Sequence, residues 1–291
     1  MVDNYFLKIF KWLFYLLPFF LLTGPFLPNL SVSVIVFIYL FICITTKKWS
    51  YFNNYFFYFF IIFYFFLLAA SFNSSDILNS LRGSLFYFRY GIFAIAVYHL
   101  LDIDNLVAKR FYYFLLISFL IAILDGVIQY FFYENIFNIV SPDNRLTLLL
   151  SDDLLLGSFL SRLFPLLIAL FISNKFLQNK INIFLIFIIF ILIDLLVFIS
   201  GERTALGLMA ISTVMIILFV RSYKIVRILT FIVSISLMYF IAINNPIIKN
   251  RVVDQTVNEM NLNIQSDDHL TNRHHQHFIS TFSAYKKTLS Q

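Results

Sequence analysis

The side chains of this chain that could do chemistry are a set of arginines, one pair of polar residues a helical turn apart, and a cluster of histidines. Arg203 follows Gly201 and Glu202 between two long apolar runs, with almost no loop around it. Even lenient insertion scales give a guanidinium in the apolar phase a cost of roughly 2.5–3.5 kcal/mol, so Arg203 is expected to have an anionic partner. Glu202 suits that role poorly, because neighbours in sequence point apart on a helix. Arg82 and Arg89 are seven residues apart, which puts both on one helix face. Arg82 can snorkel to the surface. Arg89 lies about two turns deeper and calls either for a carboxylate such as Asp125 or Asp194 or for a ligand. Asp125 and Gln129, one turn apart, fit a hydrogen bond between helices as well as a place beside a ligand. Asn144 and Arg145 begin a stretch, 144–162, that is too apolar for a free loop and too charged for an ordinary membrane span. Arginine stays charged and grips phosphate oxygens two at a time, so the chemistry these residues suit is the binding of a phosphate-like anion.

The polar C-terminal stretch carries His269, His274, His275 and His277. His274 and His277 are three apart, with no cysteine beside them and no H-E-x-x-H, so a metal site has little support. A general base working near neutral pH is the chemical alternative; a solvated helix start is the plain one. No Walker loop, GxGxxG, CxxC or GxSxG occurs. Cys43, the single cysteine, sits in an apolar run, which excludes a disulfide framework.

The elements that must hold these groups follow from composition. Of 291 residues 61% are hydrophobic, 20% aromatic and 12% charged, against about 25% charged in a soluble domain. The reading is an all-α, polytopic transmembrane helical bundle. Spans of about 17–25 apolar residues are expected near 6–22, 30–46, 55–72, 83–101, 111–130, 162–176, 181–199, 204–220 and 225–243, about nine in all. The first run lacks a cleavage site and is read as a retained helix.

Basic residues set the expected orientation. Lys8 and Lys11 mark the start of the first span, Lys47 and Lys48 follow the second, Lys109 and Arg110 the fourth, Lys175 and Lys180 mark the end of the sixth, and Arg221, Lys224 and Arg227 the junction of the eighth and ninth. By the positive-inside rule the N-terminus is cytoplasmic and the C-terminal tail lies outside. The net charge of +6 then reflects loops facing anionic lipid, with no nucleic acid as partner. Residues 1–243 form the transmembrane domain, with a re-entrant or interfacial outer loop at 131–161, and 244–291 begin an outer, periplasmic region. Arg82, Arg145, Arg162, Arg203 and the histidines fall on the outer side.

Several stretches together resemble the bacterial O-antigen polymerase and O-antigen ligase family of membrane glycosyltransferases. They are Leu81-Arg82-Gly83-Ser84-Leu85-Phe86-Tyr87-Phe88-Arg89, Asp125-Gly126-Val127-Ile128-Gln129, Arg145-Leu146-Thr147 followed by Asp152 and Gly157-Ser158-Phe159-Leu160, Ser200-Gly201-Glu202-Arg203-Thr204-Ala205, and His274-His275-Gln276-His277-Phe278. The likeness covers most of residues 80–287.

That resemblance implies a multi-pass protein of the bacterial inner membrane acting on a polyprenyl-diphosphate-linked glycan donor. The acceptor would be a glycan or lipid A-core. Arg145 and Arg203 would bind the diphosphate, with Arg89 and Arg82 adding charge. His274 would act as catalytic base, and Asp125, Gln129, Glu202 and His277 would support the site, with no metal and no cofactor. The chain departs from the pattern at Leu148 and Ser151, where relatives often carry glycine. It also stops at Gln291, where relatives continue into further outer and membrane segments, so a truncated chain is expected. A non-enzymatic polytopic membrane protein, or a transporter of a lipid-linked or anionic substrate, is the competing class. A transporter should show polar or broken helices near mid-depth.

Overall fold

The computed structural model describes residues 2–74, 76–140, 145–150, 154–173 and 180–250. Among these residues the chain is helical throughout, apart from turns and one bridge between Glu134 and Val140. The helices are α1 (Val2–Leu21), α2 (Phe26–Thr46), α3 (Tyr55–Phe72), α4 (Ile77–Leu85), α5 (Phe88–Ile103), α6 (Leu106–Phe132), α7 (Leu156–Ser173), α8 (Lys180–Ile199), α9 (Arg203–Phe219), α10 (Lys224–Asn244) and the short α11 (Pro246–Lys249). Six helical stretches are long and apolar enough to cross a bilayer: Phe26–Thr46, Tyr55–Phe72, Ile77–Ile103, Leu106–Phe132, Leu156–Ser173 and Lys224–Asn244. Two shorter apolar helices, Phe184–Ile199 and Arg203–Phe219, accompany them. This is the make-up of a multi-pass membrane protein, in which helices satisfy their backbone groups internally.

Local chemistry places the helix ends. Gly24 (φ 104°) turns the chain between α1 and α2, and Gly201 (φ 71°) does so between α8 and α9, both in the left-handed region that glycine enters at no steric cost. Asn54 caps α3 by accepting from the Phe57 N–H at 2.8 Å, and Asp76 caps α4 through the Asn79 N–H at 3.2 Å. α7 begins at Leu156 rather than near 162, so its first turns come from the end of the expected outer loop. The span expected at 83–101 is broken at Phe86–Tyr87 into α4 and α5. Two groups of α3 brace the break. The Tyr64 hydroxyl donates to the Leu85 carbonyl at 2.8 Å, and Ser71 Oγ donates to Ser84 Oγ at 2.8 Å. The seven-residue spacing of Arg82 and Arg89 therefore does not run along one continuous helix.

The interior is organised as two hydrophobic cores. One joins α1, α2, α5 and the start of α6 around Phe10, Tyr39, Ile95 and Leu100. The other joins α6 to α10 around Phe119, Leu160, Phe164 and Ile193. α6 belongs to both, and Phe111 packs against each. Gly126 lets α6 approach closely here: a Cβ on it would lie 3.0 Å from the side chains of both Leu156 and Leu196. Small residues at such points allow membrane helices to meet without a hydrophobic driving force. α3 stays at the periphery with most of its phenylalanines bare, as suits a lipid-facing helix.

Candidate functional site

Three polar residues at one end of the second core hold the connection between α6 and α7. Asp125 and Gln129, both buried, are hydrogen bonded to each other, with Gln129 Nε2 donating to Asp125 Oδ2 at 2.7 Å. The other Asp125 oxygen accepts the Ile136 N–H at 2.9 Å. The Gln129 amide meets the backbone of Thr147 in both directions: its oxygen accepts the Thr147 N–H at 2.8 Å and its nitrogen donates to the Thr147 carbonyl at 3.2 Å. Asn135 adds the third tie, donating to the Leu149 carbonyl at 2.9 Å and accepting from Phe137 and Ile139. The pair expected either to link helices or to meet a ligand thus holds a connecting segment at depth. Buried irregular backbone needs such partners.

Thr147 anchored in this way fixes Arg145 two residues upstream. Arg145 is half-buried, and its Nε lies 3.5 Å from the carbonyl of Ser200. Residues 55 apart in sequence meet there, and Ser200 opens the turn that leads to Arg203 at the first position of α9. Among the described residues the two Nη groups of Arg145 make no hydrogen bond.

Glu202 locks the turn to α7. Its carboxylate accepts the backbone N–H of Ser158 at 3.2 Å and the Ser158 hydroxyl. A negative group at a helix start satisfies free N–H groups and complements the helix dipole. Glu202 is buried, and its carboxylate is engaged in capping a neighbouring helix. Gly157 makes this possible, because a Cβ there would lie 2.3 Å from Ser200 Oγ and 2.9 Å from Glu202 Oε1. A cavity of about 250 Å3 opens beside the same elements, lined in part by Gln129, Tyr130, Tyr133, Leu146, Ile199 and Ile248.

Other expected site residues lie elsewhere. Arg89 is held by neutral oxygens, donating to Asn29 Oδ1 at 3.0 Å, Ser33 Oγ at 3.2 Å and the Tyr90 hydroxyl at 3.1 Å. Neither Asp125 nor Asp194 is its partner. These contacts fall on α2 and on α5 itself, so Arg89 belongs to the first core, whereas Arg145 belongs to the second. Arg82 and Arg162 are exposed. His274 and His277 lie outside the described residues, as do Asp152 and the rest of 251–291. Among the described residues no group of three His, Cys, Asp or Glu could hold a metal ion.

One buried constellation was not anticipated. Arg227, counted above with a basic loop, sits inside α10 at 0% exposure against Asp194 of α8 at 1%. Two parallel hydrogen bonds of 2.9 Å join them. Thr213 accepts from the guanidinium, and Ser234 donates to Asp194 Oδ2 at 2.9 Å. Phe164 and Phe190 stack near the guanidinium, 4.9 and 5.6 Å from ring centre to Cζ. The signal available in sequence was Asp194, an acid alone in an otherwise apolar run, which demands a cation at its own depth.

The chain matches no protein-family model, no curated protein and no solved structure.

Proposed function

We propose that the protein is a membrane glycosyltransferase that moves or polymerises a polyprenyl-diphosphate-linked glycan at the outer face of the bacterial inner membrane. The supporting observation is the meeting of Arg145 with the Ser200–Arg203 turn at 3.5 Å. It brings the connection before α7 and the start of α9 to one end of one core, beside a cavity. Two guanidinium-bearing segments, each rigidly tied through Gln129 and Glu202, are what a diphosphate of high charge density requires.

In this reading the acceptor hydroxyl attacks the anomeric carbon of the donor sugar. The bond from that carbon to the diphosphate oxygen breaks, and the lipid diphosphate leaves with the electron pair. Arg145 and Arg203 stabilise its growing charge in a medium of low dielectric. His274 takes the hydroxyl proton. Arg82 and Arg89 contribute only their field, since Arg89 is committed to α2. The reading includes about nine spans, a cytoplasmic N-terminus and an outer C-terminal region.

The transport alternative requires exchangeable polar groups at mid-depth. The most buried charged pair among the described residues, Asp194 and Arg227, is saturated by itself and by Thr213 and Ser234. That closed arrangement favours a structural part over a passage.

The test is genetic complementation. A strain lacking this protein is expected to lose or shorten its surface polysaccharide. The wild-type gene should restore the chain-length profile, and Arg203→Ala or Arg145→Ala, inserted at normal level, should not. An unchanged glycan in the deletion strain would refute the activity; full rescue by both variants would remove the arginines from it.

A further inference from the structure

We propose a second anion site: the cavity between α1 and α6, at the far end of α6 from Gln129, binds the phosphate of an anionic membrane lipid. The cavity measures about 490 Å3 and is lined by Leu7, Lys8, Lys11, Trp12, Tyr15, Arg110 and Phe114. Arg110 and Gln129 are 19 residues apart on one helix, about 28 Å at 1.5 Å per residue, so a bilayer thickness separates this cavity from the Arg145 site.

Three observations point to a lipid phosphate. The first is charge. Lys8, Lys11 and Arg110 line one space, and one carboxylate, Asp104, is bonded to Lys11 at 2.6 Å from its Nζ. The cations outnumber it. Lys8 and Arg110 are exposed and, among the described residues, make no hydrogen bond or salt bridge. The second is a fixed floor. Tyr15 lines the cavity while itself only 4% exposed, so the space is held in shape before a ligand arrives. The third is the apolar wall. Phe114 stacks on Tyr15 at 5.6 Å and meets Trp12 edge-on at 6.2 Å, with Trp12 half bare. The wall suits an acyl chain or glycerol backbone while the cations meet the phosphate, and basic pockets between membrane helices take acidic headgroups. A soluble phosphate would use the cations but gain nothing from Leu7, Trp12 and Phe114. This site is independent of the glycosyltransferase reading.

The full chain, purified in detergent and incubated with equal phosphatidylglycerol and phosphatidylcholine, would be weighed by native mass spectrometry. We expect phosphatidylglycerol to be retained about tenfold or more over phosphatidylcholine. Lys8→Gln with Arg110→Gln should abolish the preference without changing the melting temperature, and Lys8→Arg with Arg110→Lys should keep it. Lys11 is left in place because Asp104 depends on it. Equal retention of the two lipids, or an unchanged preference in the glutamine variant, would overturn the proposal. Displacement of the lipid by millimolar inorganic phosphate would also overturn it, by making the site one for a soluble anion.

Discussion

Asp194 and Arg227 are joined by two parallel 2.9 Å hydrogen bonds across α8 and α10, with neither side chain reaching solvent. Both are buried inside the protein, where an unpaired charge is poorly tolerated. Removing one partner leaves the other buried and uncompensated. Asp194→Leu is expected to destabilise the fold by about 3–5 kcal/mol, read as a large fall in melting temperature in detergent. Asp194→Leu combined with Arg227→Met should recover most of that loss. A double variant as unstable as the single would show that the pair does more than neutralise itself.

Glu202 and Gly157 make a second, local test. Glu202→Gln keeps the shape but weakens the cap on α7, and about 1 kcal/mol of stability is expected to go. Gly157→Ala should cost more, because its new methyl would collide with Ser200 Oγ and Glu202 Oε1. The same change pushes the Ser200 turn from α7 and so weakens the contact of Arg145 with the Ser200 carbonyl. Protease sensitivity of the α8–α9 turn would report it. Equal behaviour of Gly157→Ala and wild type would mean that the close approach is not obligatory.

Much of this architecture was open to reading in the chain. Long apolar runs with few charges became helices at nearly every place expected, because a bilayer leaves few alternatives for such runs. The reasons for the misses are specific. The break at Phe86–Tyr87 falls in a continuous apolar run, and it depends on Tyr64 and Ser71 of another helix. Arg227 looks in sequence like any loop cation near a helix start; only the facing Asp194, 33 residues away, turns it inward. At the candidate site, Asp125 and Gln129 were legible as a pair. Their real partners, the backbones of Ile136 and Thr147, carry no side-chain signature. Glu202 was legible as a poor partner for its neighbour Arg203, but not as the cap on the start of α7.

Gln129→Leu should release the segment that carries Arg145. It removes two hydrogen bonds to the Thr147 backbone and leaves those groups buried, a loss of about 1–3 kcal/mol. Hydrogen exchange at residues 145–149 should rise well above wild type while α2 and α5 stay protected. Uniform protection across both would contradict the assigned role of Gln129.

The Lys11–Asp104 link predicts a pH response at the other end of the bundle. Asp104 lies outside the spans, and its carboxyl is held below the usual carboxylate value, first by the hydrogen bond from Lys11 and next by the Leu106 N–H. The folded value is therefore lower than the unfolded one of about 3.9. The link contributes its full share above about pH 4 and fades as pH falls through the folded value. A double-mutant cycle on Lys11→Met and Asp104→Asn should give a coupling of about 0.5–1 kcal/mol at pH 7 that falls steadily on acidification below about pH 4. A coupling that grew on acidification would contradict the assignment.

The account turns on whether Arg145 and Arg203 hold a lipid diphosphate together. Direct binding of a short polyprenyl diphosphate to the purified full chain measures this without any acceptor. Wild type should bind, and Arg145→Ala and Arg203→Ala should each weaken binding about tenfold or more, as expected for losing a charged hydrogen-bonding group. Affinity unchanged in both variants would contradict the central claim.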